Sequence, residues 1–203
     1  MKKLDAEFYQ RTNVVSIARD LLGKLLITNF PDGLTSGRIV EVEAYNGVVD
    51  KASHAYNGRR TKRTENMYAA GGLAYVYLIY GIHSLFNVVT NLAENPHAVL
   101  IRAVEPVKGI PVMLKRMQKE NFDSSVGRGP GNLSRALGIS TIHSGMSLSG
   151  REIYIADDNF VIKRSDIIES PRINVDYAAD DALLLYRFYV KGNPHVSGRR
   201  NQR

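Results

Sequence analysis

Short β-rich runs separated by turn residues restrict the fold of this chain more than any other feature. From Lys24 onward the runs read LLIT, GRIVEVEAY, LAYVYLIY, SLFNVVT and AVLIRAVEP, and later ones follow at EIYIA, FVIK and LLLYRFYVKG. The sequence PDG, Gly81 and the stretch 91–96 supply turns between the first five runs. This pattern predicts an initial hairpin followed by sequential antiparallel strands.

Helical patterns occur at three places among these strands. Apolar residues recur at helical spacing from a cap at Thr12 or Asn13, through about Leu22, to a stop at Gly23. Further helices are predicted over 108–119 and after the Gly-Pro pair at 129–130, because proline in a first helical turn costs no hydrogen bond.

The length and texture of the chain predict one domain. No internal repeat and no Pro- or Ser-rich linker interrupts the 203 residues. We therefore expect a single domain over 1–203, with flexible ends at 1–8 and 198–203.

Charge and cysteine content limit the classes of function. The chain carries 27 Lys and Arg against 20 Asp and Glu, a formal net charge of +7. This surplus favours polyanionic partners, but it fits nucleic acid, an acidic membrane or no specific partner. The absence of cysteine excludes disulfides, thiolate nucleophiles and Cys-based zinc sites, and the five histidines are too dispersed to predict a metal site. No secretory signal and no apolar run of about 18 residues is found, so a cytoplasmic protein without membrane contact is expected.

Two glutamates share one predicted face of the run GRIVEVEAY. Strand alternation places Ile39, Glu41, Glu43 and Tyr45 on one side and the three residues between them on the other. Solvated glutamates on an exposed face are the commoner arrangement. The alternative is a carboxylate that takes part in acid–base chemistry, and the pattern leaves both open.

Tyrosines are concentrated in the next strand pair. Four of the eleven fall between Tyr68 and Tyr80, and Tyr75 and Tyr77 share a strand face. Such rings suit a base-stacking pocket and equally a half-buried sheet. Tyr80 precedes Gly81, so a turn is predicted to hold its ring at a hairpin tip, where it can act as a wedge.

A basic run lies between these regions. Arg59, Arg60, Lys62 and Arg63 fall within five residues. A solvated loop and a loop that contacts phosphates explain this run equally well.

Six segments, taken together, identify a family. RIVEVEAY, ASHA, YVYLIYG followed by FNV, LIRAVEP, GPGNL and RFYVKGNPHVS resemble, in this order, segments of the alkyladenine (3-methyladenine) DNA glycosylase family, in its bacterial-type form. They span Arg38 to Ser197. The resemblance implies an α+β domain with a curved, mostly antiparallel sheet flanked by helices. It also implies a monomer that acts on double-stranded DNA without a cofactor.

The resemblance implies an activity as well. A damaged base is flipped out of the duplex and its N-glycosidic bond is hydrolysed. The implied substrates are 3-methyladenine, 7-methylguanine, hypoxanthine and ethenoadenine. Glu43 matches the glutamate that activates water against C1′, and Arg102 matches the arginine that helps to hold this water. Since no lysine matches a Schiff-base nucleophile, the implied enzyme is monofunctional and does not cleave the strand.

The same resemblance implies a set of base and DNA contacts. Tyr45, His54 and Tyr77 match the residues that enclose the flipped base. Asn87 matches the residue that crowds the exocyclic amino group of normal guanine. Tyr80 matches the side chain that enters the minor groove and fills the vacated stack. The remaining affinity is expected from phosphate contacts by basic residues.

The chain departs from the family pattern at two places, and two other functions compete. Asn132 stands where many members carry lysine, and Lys62 stands where proline is usual. A noncatalytic sensor of damaged bases is the alternative, although it would not need both Glu43 and Arg102. A third hypothesis is an RNA-binding domain in which tyrosines stack on bases.

Overall fold

A computed structural model describes residues 1–198 of the chain. Nine β-strands and four α-helices lie within them. In chain order they are β1 (Lys2–Lys3), α1 (Ala6–Tyr9), α2 (Val14–Leu21), β2 (Leu25–Phe30), β3 (Gly33–Tyr45), β4 (Ala74–Ile79), β5 (His83–Thr90), β6 (His97–Lys108), α3 (Ile110–Met117), α4 (Pro130–Leu137), β7 (Ile153–Asp157), β8 (Ile167–Ser170) and β9 (Arg187–Val190).

The nine strands form one sheet in which every pair is antiparallel. The strand order is β1-β7-β2-β3-β6-β5-β4, and β9 pairs with both β3 and β8. The 13-residue strand β3 is central, because it pairs with β2, β6 and β9. The predicted α+β fold with a mostly antiparallel sheet is confirmed.

The predicted helices are confirmed with shorter bounds. The side chain of Asn13 accepts a hydrogen bond from the backbone N–H of Ser16, and this cap starts α2. After α2 the chain turns at Gly23, whose φ of +84° lies in the left-handed region that glycine tolerates. The apolar side of α2 packs with α3 and α4 on one face of the sheet.

Two late strands differ from the prediction. The run FVIK at 160–163 is not a strand, and the run at 183–192 is extended only over β9. The missing partner explains the first difference, because both edges of the preceding strand β7 are already paired with β1 and β2. Val161 is instead 81% exposed. The unpredicted strand β8 pairs with β9.

The N-terminal segment has secondary structure where the sequence predicts a flexible end. Lys2 and Lys3 pair with the edge of β7, and the side chain of Asp5 caps α1 by accepting from Phe8 N. Tyr9 is fully buried and anchors the segment in the core. These elements were not predicted from the sequence, and the flexibility of 1–8 stays a prediction. Of the other predicted flexible end, 199–203 lies outside the described residues.

Three register shifts interrupt the pairing of β3 with β6. One lies between Ser36 and Gly37. The other two flank Glu41, since the register shifts by one residue at Val40 of β3 and shifts back at Arg102 of β6. Ile39 therefore joins Val42 and Ala44 in the core. The prediction that Ile39 shares the face of the two glutamates is wrong, because strict alternation fails at a bulge.

Candidate active site

A cavity of about 620 Å³ opens on the face of the sheet opposite the helical core. Its size is typical of small-molecule sites. Loops around 54–63 and 173–177, together with residues 128–129 and the start of α4, complete its walls. The strand residues that line it include Glu43, Tyr45, Tyr77, Leu85, Leu100 and Arg102.

Glu43 is fully buried in the wall of this cavity. Its Oε1 accepts a hydrogen bond from the backbone N–H of Ile173 at 2.8 Å, and its Oε2 accepts one from the Tyr45 hydroxyl at 2.9 Å. Arg102 Nη1 lies 3.4 Å from Oε1. A carboxylate held in this way has a fixed orientation and a compensating charge.

Glu41 is equally buried but does not line the cavity. Its Oε1 accepts from Arg102 Nε at 2.9 Å and from Arg187 Nε at 2.8 Å, and its Oε2 accepts from the Ser197 N–H at 2.6 Å. Both oxygens are thus occupied away from the cavity. The interpretation of Glu41 and Glu43 as solvated residues is wrong, because both are buried and ion-paired.

Arg102 connects the two glutamates. Its position in the β6 bulge directs Nε to Glu41 and Nη1 to Glu43. Burial alone would lower the pKa of Arg102, but the charges of Glu43 and Glu41 outweigh burial and raise it. Arg102 therefore remains a cation beside the cavity.

Aromatic rings form another wall. The ring centroids of His54 and Tyr77 are 4.6 Å apart with an interplanar angle of 69°, which is an edge-to-face contact. His54 Nδ1 lies 2.9 Å from the hydroxyl of Tyr75. The structure thus brings His54 and Tyr77 together with Tyr45 at one cavity.

The protonation states of these residues follow from burial. Burial lowers the pKa of His54 to about 4, and the charges of Arg63 and Arg59 act in the same direction. The imidazole is therefore neutral at pH 7, with one donor and one acceptor nitrogen. Burial and the charge of Glu43 raise the pKa of Tyr45, so its hydroxyl keeps its proton and donates to Glu43.

Asn87 lies deeper than the other predicted pocket residues. It lines a smaller space of about 40 Å³ shared with His54 and Tyr77, and it is not part of the main cavity wall. Its Nδ2 donates to the carbonyl oxygens of Tyr75 and Leu85 at 3.1 and 3.2 Å. These bonds fix the amide in the wall of this smaller space.

Tyr80 occupies the tip of the β4–β5 hairpin, as predicted. Its side chain is 82% exposed, and it also lines the cavity. Ile82 N donates to Ile79 O and closes a turn in which Tyr80 has φ +53° and Gly81 has φ +72°. Two successive left-handed residues form the turn that matches strand twist. For a non-glycine residue such as Tyr80 this conformation costs about 1–2 kcal/mol.

The four cations of the basic run differ in their partners. Arg60 forms ion pairs with Glu65 and Glu94, both at 2.7 Å. Its charge is therefore already paired with two carboxylates of the protein rather than available to a phosphate. The other cations of the run are exposed, and one of them lines the cavity; they are Arg59, Lys62 and Arg63.

Several loop residues of the cavity had no predicted role. Tyr177 is 70% exposed, and its hydroxyl donates to the carbonyl of Ala52 at 3.2 Å. Ile173 contributes a backbone N–H, and Arg128 lies at the cavity before α4. These residues carry no periodic signal, since their loops reach the cavity only when the sheet is assembled. The family segment GPGNL, which follows Arg128, is the sequence signal that points to this part of the cavity wall.

Within residues 1–198 the structure contains neither a cluster of metal-binding side chains nor a membrane-spanning helix. Over this range no group of three His, Asp or Glu side chains lies close enough together to hold a metal ion. No helix there has both the length and the apolar character needed to span a bilayer.

Comparison with known proteins decides the family. The sequence model of the family described as methylpurine-DNA glycosylase matches residues 7–194. The chain belongs to the methylpurine-DNA glycosylase family. The family predicted from the six segments is confirmed, and the protein is accordingly a DNA glycosylase.

Bacterial relatives of this methylpurine-DNA glycosylase match over nearly their full length. Each of three relatives carries the provisional name of a 3-methyladenine DNA glycosylase. The protein of Natranaerobius thermophilus is 46% identical over 199 residues, covering 96% of this chain and 98% of the relative. Those of Clostridium acetobutylicum and Clostridium perfringens strain 13 are 44% and 41% identical over 202 and 203 residues, covering 96% of this chain and 97% and 98% of the relatives.

Proposed function

We propose that this glycosylase removes alkylated and deaminated purines from double-stranded DNA by a monofunctional reaction in which Glu43 activates water. The proposed lesions are 3-methyladenine, 7-methylguanine, hypoxanthine and ethenoadenine. The observation that carries the proposal is the buried carboxylate of Glu43 in the cavity wall, with Arg102 Nη1 at 3.4 Å. We further propose that the protein acts as a monomer in the cytoplasm.

The proposed reaction is a hydrolysis at C1′ of the deoxyribose. Glu43 accepts a proton from water while the oxygen of that water bonds to C1′. The electrons of the C1′–N bond leave with the base. The carboxylate also stabilises the positive charge that develops on the sugar. A cationic base such as 3-methyladenine leaves as a neutral molecule, so no acid is needed for it. Arg102 supports this scheme as a cation that orients the water and the carboxylate.

The proposed base contacts use the aromatic wall. Tyr45, His54 and Tyr77 would enclose the flipped purine, and a cationic purine is attracted to the negative faces of such rings. Asn87, held by its two hydrogen bonds in the smaller space beside His54 and Tyr77, would meet the exocyclic amino group of normal guanine. Tyr80 would fill the gap in the stack.

Release of bases tests the proposal directly. Purified protein is incubated with duplexes that each contain one lesion, and free base, abasic sites and strand breaks are measured. We expect abasic sites without strand cleavage by the protein. The sensor alternative predicts a stable complex and no abasic product, and an RNA-binding domain predicts loss of binding when 2′-hydroxyls are removed.

The basic run gives a prediction about salt. We propose that Arg59, Lys62 and Arg63 contact phosphates, whereas Arg60 is engaged by Glu65 and Glu94. Replacing Arg59 and Arg63 by alanine should reduce the slope of log K against log salt by about 1.8, since each neutralised phosphate contributes about 0.9.

The matched control for this measurement is Arg60→Ala. It removes one positive charge from the same loop, where the double variant removes two, and the slope on undamaged duplex DNA should stay at the wild-type value. Equal slopes for the wild type and the Arg59→Ala/Arg63→Ala protein would rule out phosphate contact by this run.

A further inference from the structure

Asp50 and Arg172 form the most deeply buried ion pair within residues 1–198. Arg172 Nη1 lies 2.5 Å from Oδ2 of Asp50, and Nη2 lies 2.8 Å from Oδ1, with both side chains at most 1% exposed. Burial of such a pair gains little net stability, because desolvation of the two charges offsets their attraction. The backbone groups that the pair holds are therefore more informative than its energy.

The pair connects three separate segments of the chain. Arg172 donates to the carbonyl of Ala44 at 3.0 Å in β3 and to that of Asp181 at 3.1 Å. Asp50 accepts the N–H of Ala52 at 3.0 Å. The end of β3, the turn after it and the loop 171–186 are thus joined at one buried point.

Each joined segment leads within two residues to a side chain that lines the cavity. Tyr45 follows the carbonyl of β3 that Arg172 holds, and His54 lies two residues beyond the N–H that Asp50 holds. Ile173 follows Arg172 itself. Neither member of the pair lines the cavity, so any effect on the site must pass through these neighbours.

Two of these neighbours hold Glu43. The Ile173 N–H donates to its Oε1 and the Tyr45 hydroxyl donates to its Oε2. The guanidinium of Arg172 also lies 4.8 Å from the centroid of the Tyr45 ring, which is a cation–π contact. Both donors to the carboxylate are therefore oriented by one arginine.

We propose that Asp50 and Arg172 are positioning residues, which align Glu43, Tyr45 and His54 for base release without contacting the substrate. This inference rests on the proposed function. A displacement of about 1 Å of such groups can lower a rate by up to about 100-fold, so the loss of the pair should act on the chemical step.

The test replaces both charges at once, in Asp50→Asn/Arg172→Met, because a single replacement would leave one buried charge unpaired. The single-turnover rate of 7-methylguanine release should fall by about 10- to 100-fold. The Kd for a duplex with a reduced abasic site, which offers no base to the pocket, should stay within about twofold of the wild type, since the remaining contacts are those of Tyr80 and of the DNA backbone, which the pair does not hold.

The matched control is a second bidentate pair that lines no part of the cavity. Arg116 binds Asp32 through Nε at 2.8 Å and Nη2 at 2.6 Å. Asp32→Asn/Arg116→Met should change the midpoint of thermal unfolding but not the rate of release. Arg172→Lys keeps the charge without the fork, so its rate should lie between those of the wild type and the double variant. If the double variant does not fold, a folded Arg172→Lys protein with the wild-type rate overturns the positioning role.

The outcomes separate this inference from the proposed function. An active wild type with an unimpaired Asp50→Asn/Arg172→Met protein overturns the positioning role alone. Equal losses of rate in the variant and in the control would also overturn it. A wild type that releases no base from any lesion overturns the proposed function.

Discussion

Glu43→Gln should lower the single-turnover rate of 7-methylguanine release by about 100- to 10,000-fold, the contribution usual for a general base. Glutamine has nearly the same shape, and its oxygen can still accept the N–H of Ile173. It cannot accept a proton from water, and it leaves Arg102 without one of its two carboxylates. Release is measured on methylated duplex DNA with enzyme in excess.

The control for this experiment is Glu105→Gln, which removes an exposed carboxylate from β6. It should release base at the wild-type rate. Binding of Glu43→Gln to a lesion-containing duplex should persist, because the cavity and the hairpin are unchanged. Wild-type release by Glu43→Gln would mean that another group activates the water.

Tyr80→Ala should weaken binding to a lesion-containing duplex by about 5- to 150-fold, equivalent to about 1–3 kcal/mol for the loss of one aromatic stack. The ring is 82% exposed at the hairpin tip, so its removal leaves no hole in the core. Affinity is measured at a fixed salt concentration, together with release from duplex DNA and from single strands. Release from single strands should be largely retained.

Two further variants at this position separate the ring from the backbone. Tyr80→Phe keeps the ring and should bind like the wild type. Tyr80→Asn removes the ring but suits the left-handed conformation, so thermal stability should be maintained while binding falls. Equal losses on duplex and single-stranded DNA would refute the role of a wedge.

Local patterns were sufficient for much of the fold. The cap at Asn13 and the hairpin tip at Tyr80 depend on neighbouring residues alone, and both are confirmed. The prediction of a strand at 160–163 was wrong because a strand also needs a free edge to pair with, and hydrophobicity does not indicate whether one is free. The face of Ile39 was wrong because a bulge depends on the partner strand β6.

The candidate site likewise has parts that the sequence predicts and parts that depend on distant residues. The resemblance to the family drew attention to Glu43 and Arg102, and the structure brings them within 3.4 Å of each other. Alternation alone could not distinguish Glu43 from Glu41, since only the packed structure determines which carboxylate lines the cavity. The partners of Arg60 and the backbone N–H of Ile173 depend on distant loops, so no local pattern contains them.

The bulges at Val40 and Arg102 have a consequence for protein engineering. The register between β3 and β6 is the same over 37–39 as over 42–45, so these two insertions cancel. Deleting one of them would turn the side chains that follow it to the opposite face, whereas deleting both would leave the pairing of 37–45 in one register. Arg102 thus reaches both glutamates from an insertion that leaves the neighbouring pairs in register, and the backbone could be reshaped at this point without a new topology.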